Sequence, residues 1–73
     1  MVNTELLEKK ITDSGLKKTF IADKLGITRQ ALFLKINNVT EFMSSEVQGL
    51  CELLGITSLK EKESIFFASK VDL

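Results

Sequence analysis

Glycine punctuation without proline is the strongest constraint on this chain. Gly15, Gly26 and Gly55 each follow a run with apolar residues three and four apart, where a helix-terminating glycine belongs, and no proline interrupts the runs. The pattern predicts an all-α fold of five helices. The first covers Thr4 to Ser14, with Asn3 or Thr4 as cap and Leu7 and Ile11 inward beside Leu6. The second covers Lys18 to Leu25, with Phe20, Ile21 and Leu25 as apolar stripe and Ala22 small enough for close helix contact. The third begins after a Thr28 cap and ends near Ile36, with Leu32 and Ile36 inward. Ser44 or Ser45 is expected to cap the fourth, which runs to Leu54 on Val47, Leu50 and Leu54. Gly49 lies inside that run, where glycine costs helix stability. Ser58 with Glu61 forms a capping-box pattern for a short fifth helix.

Residues 1–73 are read as one helix-turn-helix domain, the motif spanning about 18–36 and the last residues, 68–73, frayed. A 73-residue domain buries only about 60% of its unfolded surface. The cluster Ile65, Phe66 and Phe67 is therefore read as closing the core, a weak homodimer contact being the alternative. Cys51 is read as a small buried residue. One cysteine and no histidine exclude a disulfide framework and a Cys/His metal site. The chain also lacks His, Tyr and Trp, a glycine-rich phosphate loop and a nucleophile elbow. The expectation is a binding module, not an enzyme, with no cofactor and no metal. No apolar run is long enough to span a membrane and no signal peptide is visible, so a reducing cytoplasm is expected.

The formal net charge is zero, but its distribution is uneven. Residues 17–35 carry Lys17, Lys18, Lys24, Arg29 and Lys35 against Asp23 alone, a net +4, whereas residues 36–57 carry Glu41, Glu46 and Glu52, a net −3. A basic pair of helices on a neutral-to-acidic body is the footprint of a phosphate-facing surface; solvated lysines on exposed faces are the plain alternative. Lys17 and Lys18 stand where the second helix begins, against its dipole and without a Ser, Thr, Asp or Asn cap. Such a start suits an incoming phosphate. Alternatively the first turn is irregular and Thr19 caps a later start.

Two short helices joined by a glycine turn, the second capped by threonine, describe a helix-turn-helix. Residues 18–38 resemble the motif of the lambda-repressor/Cro family of phage and bacterial regulators. The turn Lys35-x-Asn37-Asn38, the aromatic Phe42 and the helix start Ser45-Glu46-Val47 resemble a phage subgroup, as does the ending Ile65 to Asp72. That subgroup includes Cro-like repressors and modulators of repression. The resemblance implies a small five-helix lambda-repressor-like domain that binds operator DNA in a lysis/lysogeny switch within the host bacterial cytoplasm. It implies double-stranded DNA as partner, with the third helix in the major groove. On that mapping Thr28, Arg29, Gln30 and Leu34 face bases, Arg29 suiting guanine and Gln30 adenine. Lys17, Lys18 and Thr19 would meet one phosphate strand, and Lys35, Asn37, Asn38 and Thr40 the other. The Asn37-Asn38 pair also suits a plain turn, and the Lys35 stem also suits covering core surface. The apolar exposure of Phe33 and Leu34, beside Arg29 and Gln30, fits a second function: a modulator or antirepressor that binds the cognate phage repressor protein.

Overall fold

A computed structural model of the chain describes residues 1–67. Five helices are present: α1 (Thr4–Ser14), α2 (Lys18–Leu25), α3 (Arg29–Ile36), α4 (Ser44–Leu54) and α5 (Leu59–Phe66). The protein is all-α, as the periodicity predicts, and the described residues contain no strand. The fraying expected for residues 68–73 lies outside the described residues. None of the described helices is long and apolar enough to cross a membrane.

Local chemistry sets the boundaries. The Asn3 carboxamide oxygen accepts from the Leu6 N–H at 3.1 Å and opens α1. The Thr28 hydroxyl oxygen accepts from the Ala31 N–H at 3.0 Å and opens α3. Two starts depart from expectation. Neither Ser44 nor Ser45 caps α4; Met43 occupies the cap position and Ser44 is already helical. The Glu46 carboxylate instead accepts the N–H of the cap residue Met43 at 2.8 Å, and the Glu46 N–H donates to the Met43 carbonyl at 3.0 Å. At α5 the Ser58 hydroxyl accepts from the Glu61 N–H at 3.3 Å, but the Glu61 carboxylate turns to Lys10 of α1 at 2.8 Å. Ion pairing across two helices replaces the reciprocal half of the capping box.

Helix α2 packs on α3 and α4, and α1 packs on α3, α4 and α5. Leu7, Ile21, Leu32, Ile36, Leu50 and Ile65 are the largest fully buried side chains. Cys51 is buried with them, and burial pushes its thiol above its ordinary pKa. Val2, Ile56 and Phe42 complete the core from outside the helices, where periodicity gives no signal. Phe42 meets Phe66 edge-to-face, with centroids 6.0 Å apart. Two aromatics expected inside lie outside. Phe20 is 43% exposed, its ring 5.4 Å from the Lys24 ammonium. The C-terminal cluster divides: Ile65 and Phe66 close the core, while Phe67 is 60% exposed beyond the last helical residue.

Gly49 has a packing reason that overrides its helix cost. A β-carbon there would stand 2.8 Å from Leu25 Cδ2, so α2 and α4 approach closely at this point. Gly49→Ala adds helix propensity of about 0.5–1 kcal/mol but forces the Leu25 side chain to turn. The expected net change in urea melts is within about 1 kcal/mol of wild type. Gly49→Val adds two further methyl groups and is expected to lose about 1–3 kcal/mol. Equal stability of the two variants would mean that the helices do not meet closely here.

Candidate nucleic-acid interface

The turn between α2 and α3 sets the geometry. Gly26 adopts φ +74°, its N–H donating to the Asp23 carbonyl at 3.1 Å, and the Ile27 N–H donates to the Ala22 carbonyl at 3.0 Å. That left-handed residue reverses the chain within three residues, from Gly26 to Thr28. Ile21, Ala22 and Leu32 are buried beneath the turn, and Leu25 and Ile27 pack against the same core. The two helices are thereby held with their N-terminal ends toward one surface.

At the start of α2, Lys17 is the extended cap residue and makes no side-chain capping bond. The helix begins at Lys18, so a later start capped by Thr19 is not adopted. Its ladder opens with the Ile21 N–H on the Lys17 carbonyl at 3.0 Å. The amides of Lys18, Thr19 and Phe20 precede that bond, at the positive end of the helix. Lys17, Lys18, Thr19 and Arg29 line one shallow depression. Lys18, Arg29, Gln30 and Phe33 line a second, so the two share Lys18 and Arg29. Five predicted site residues therefore meet on one face: Lys17, Lys18, Thr19, Arg29 and Gln30. Lys17 and Arg29 are exposed, and neither has an acidic partner within ion-pair distance among the described residues. Lys18 is paired with Glu8 of α1, at 2.9 Å. Thr28 is exposed at the head of α3, its oxygen engaged as the cap and its hydroxyl proton able to donate outward. Phe33 is 59% exposed, whereas Leu34 is half-buried and lines neither depression.

The second predicted phosphate group does not assemble as a basic patch. Lys35 is only 14% exposed; its ammonium donates to the Glu41 carbonyl at 2.9 Å and sits 3.2 Å from the Glu46 carboxylate. Lys35 is therefore paired and largely covered rather than free in solvent. The Asn37 amide donates to the Phe33 carbonyl at 2.9 Å and closes α3. Asn38 is left-handed, with φ 64°, and its carboxamide is spent on Val2. Its oxygen accepts from the Val2 N–H at 2.8 Å, and its nitrogen donates to the Val2 carbonyl at 2.9 Å. Thr40 is exposed and lines one cleft with Lys35 and Asn38, away from the α2–α3 depressions, but Glu41, Phe42 and Phe67 line it too and Lys35 is neutralised there by Glu46. The pair Asn37-Asn38 closes α3 and fastens Val2, and within the helix-turn-helix the exposed Lys17 and Arg29 lie at the N-terminal ends of α2 and α3. The Glu8–Lys18 pair and the Val2–Asn38 clasp carry no signal in local spacing, because each joins residues distant along the chain.

Comparison of the chain with protein-family models, curated proteins and solved structures returns no match.

Proposed function

We propose that this chain binds double-stranded DNA through α2, the Gly26 turn and α3, and acts as a phage-type transcriptional regulator of the Cro-like kind. The observation that carries the reading is the gathering of Lys17, Lys18, Thr19, Arg29 and Gln30 at the paired N-termini of α2 and α3. In that pose Lys17 and the free amides of α2 meet a phosphate, which also fixes register. Arg29, at the first turn of α3, presents a forked donor to guanine O6 and N7, and Gln30 presents an amide to adenine. The host bacterial cytoplasm is the compartment this function requires, and no cofactor takes part. A zero net charge makes sequence-independent binding weak, so base contacts carry a large share of the affinity.

A second reading has its own support. Phe33 is exposed on the same face as Arg29 and Gln30. An aromatic flanked by an arginine is the composition of a protein-contact centre, which suits a modulator that binds the phage repressor. Titration against the lytic-switch region, at two salt concentrations and with and without the neighbouring repressor, tests both. Binding by this protein alone, with a log–log salt slope of about −2 to −3 for two or three neutralised phosphates, is the expected result. No binding alone, but altered repressor occupancy when both are present, would replace the first reading by the second.

A further inference from the structure

Of the three cations gathered at the N-termini of α2 and α3, only Lys18 has an acidic partner, and that partner comes from outside the helix-turn-helix. Lys18 Nζ lies 2.9 Å from Glu8 Oε1 and 3.1 Å from Glu8 Oε2. Both side chains are about two-thirds covered, Lys18 being 35% and Glu8 37% exposed, so solvent screens the pair only in part. Lys18 is also one of two residues common to both depressions, which puts it between the Lys17–Thr19 end and the Gln30–Phe33 end. The neighbouring α1 cations are engaged elsewhere: Lys9 with Asp13 at 3.0 Å and Lys10 with Glu61 at 2.8 Å. Glu8 is the carboxylate left to face the α2 start.

We propose that Glu8 is a built-in competitor for phosphate: it masks Lys18 and so holds down the affinity of the α2–α3 face for duplex DNA. The inference rests on the DNA-binding reading above. A phosphate arriving at the α2 amides meets Lys18 already holding two carboxylate oxygens, and either displaces Glu8 or stands beside its negative charge. Both cost affinity, and both act on every sequence alike, because phosphates carry no base information. The chain thereby damps non-specific binding while leaving Arg29 and Gln30 to discriminate.

The probe is a mixed-sequence 20-base-pair duplex, followed by anisotropy with the full chain across a salt series. Glu8→Gln is expected to bind it about two- to fivefold tighter than wild type at low salt, the range that partly exposed ion pairs supply. The salt slope should steepen by up to about 0.9, one additional phosphate neutralised. Glu8→Ala should behave likewise, with both variants keeping a wild-type helical spectrum. Glu52→Gln, the same charge change at an exposed position of α4, should leave affinity nearly unchanged. In a Lys18→Gln background, Glu8→Gln should no longer tighten binding, because the effect passes through Lys18. Unchanged or weaker binding by Glu8→Gln, or an equal gain from Glu52→Gln, overturns the masking role and leaves DNA binding standing. If neither wild type nor any Glu8 variant binds duplex at low salt, the DNA reading falls and the inference with it.

Discussion

Arg29→Ala is expected to weaken binding to a preferred duplex by about 1–3 kcal/mol, roughly 5- to 150-fold, and to relax selectivity at one base pair. The preferred duplex is obtained by selection from a random pool with the wild-type chain. Arg29 is exposed at the first turn of α3, with no acidic partner among the described residues, so its removal leaves no buried charge and no cavity. Stability should stay within about 0.5 kcal/mol of wild type. Lys17→Ala makes the contrast. Removing a phosphate-binding ammonium there lowers affinity for all duplexes alike and flattens the salt slope by about 0.9, without changing the selected sequence. Measuring both variants on the preferred duplex and on single-base variants separates the two roles. An Arg29→Ala chain that keeps full affinity and selectivity would remove Arg29 from base reading and favour the protein-contact reading, in which Phe33 dominates.

The parts of this molecule legible in the sequence are those governed by short-range rules. Helix boundaries follow from apolar spacing and from Gly15, Gly26 and Gly55, all of which are left-handed as terminating glycines require. The basic face follows from the clustering of Lys17, Lys18 and Arg29 around one turn. What spacing conceals is the use to which a polar side chain is put. Lys35 looks identical to Lys17 as a letter, yet its stem lies against the start of α4, where Glu46 neutralises it. Glu46 itself serves two partners, the Met43 amide and Lys35, which is why a glutamate can be only 8% exposed. Phe20 fits the apolar stripe of α2 by count, but Ile21 and Ala22 occupy the surface that meets the core, and Phe20 turns outward beneath Lys24. Each of these outcomes depends on a partner from another element, which a one-dimensional period does not encode.

Asn38→Ala is expected to be strongly destabilising although Asn38 is exposed, and this follows from that same tertiary dependence. Alanine at φ 64° costs about 1–2 kcal/mol in the left-handed region, and removing the pair of hydrogen bonds to Val2 costs about 1 kcal/mol each. The sum, about 3–4 kcal/mol, corresponds to a fall in Tm of the order of 10–30 °C for a domain of this size. Asn38→Gly keeps the backbone conformation and loses only the clasp, so it should fall between wild type and Asn38→Ala. The clasp matters because the N-terminal segment is fastened at several points. Val2 is buried, the Asn3 N–H donates to the Ile65 carbonyl at 2.7 Å, and the Thr4 hydroxyl donates to the Ile36 carbonyl at 2.7 Å. Loosening it frees the C-terminal end of α3 from α5, so the orientation of the recognition face softens together with the core. A phosphate-binding Asn38 would behave oppositely: Asn38→Gly would melt like wild type and bind duplex more weakly at an unchanged salt slope, since an uncharged amide releases no counterion. Thermal melts and duplex titrations on the two variants decide between these outcomes. An unshifted Tm with weakened duplex binding for Asn38→Gly would return Asn38 to the DNA surface, whereas a lowered Tm makes it the pin that ties the amino terminus to the end of α3.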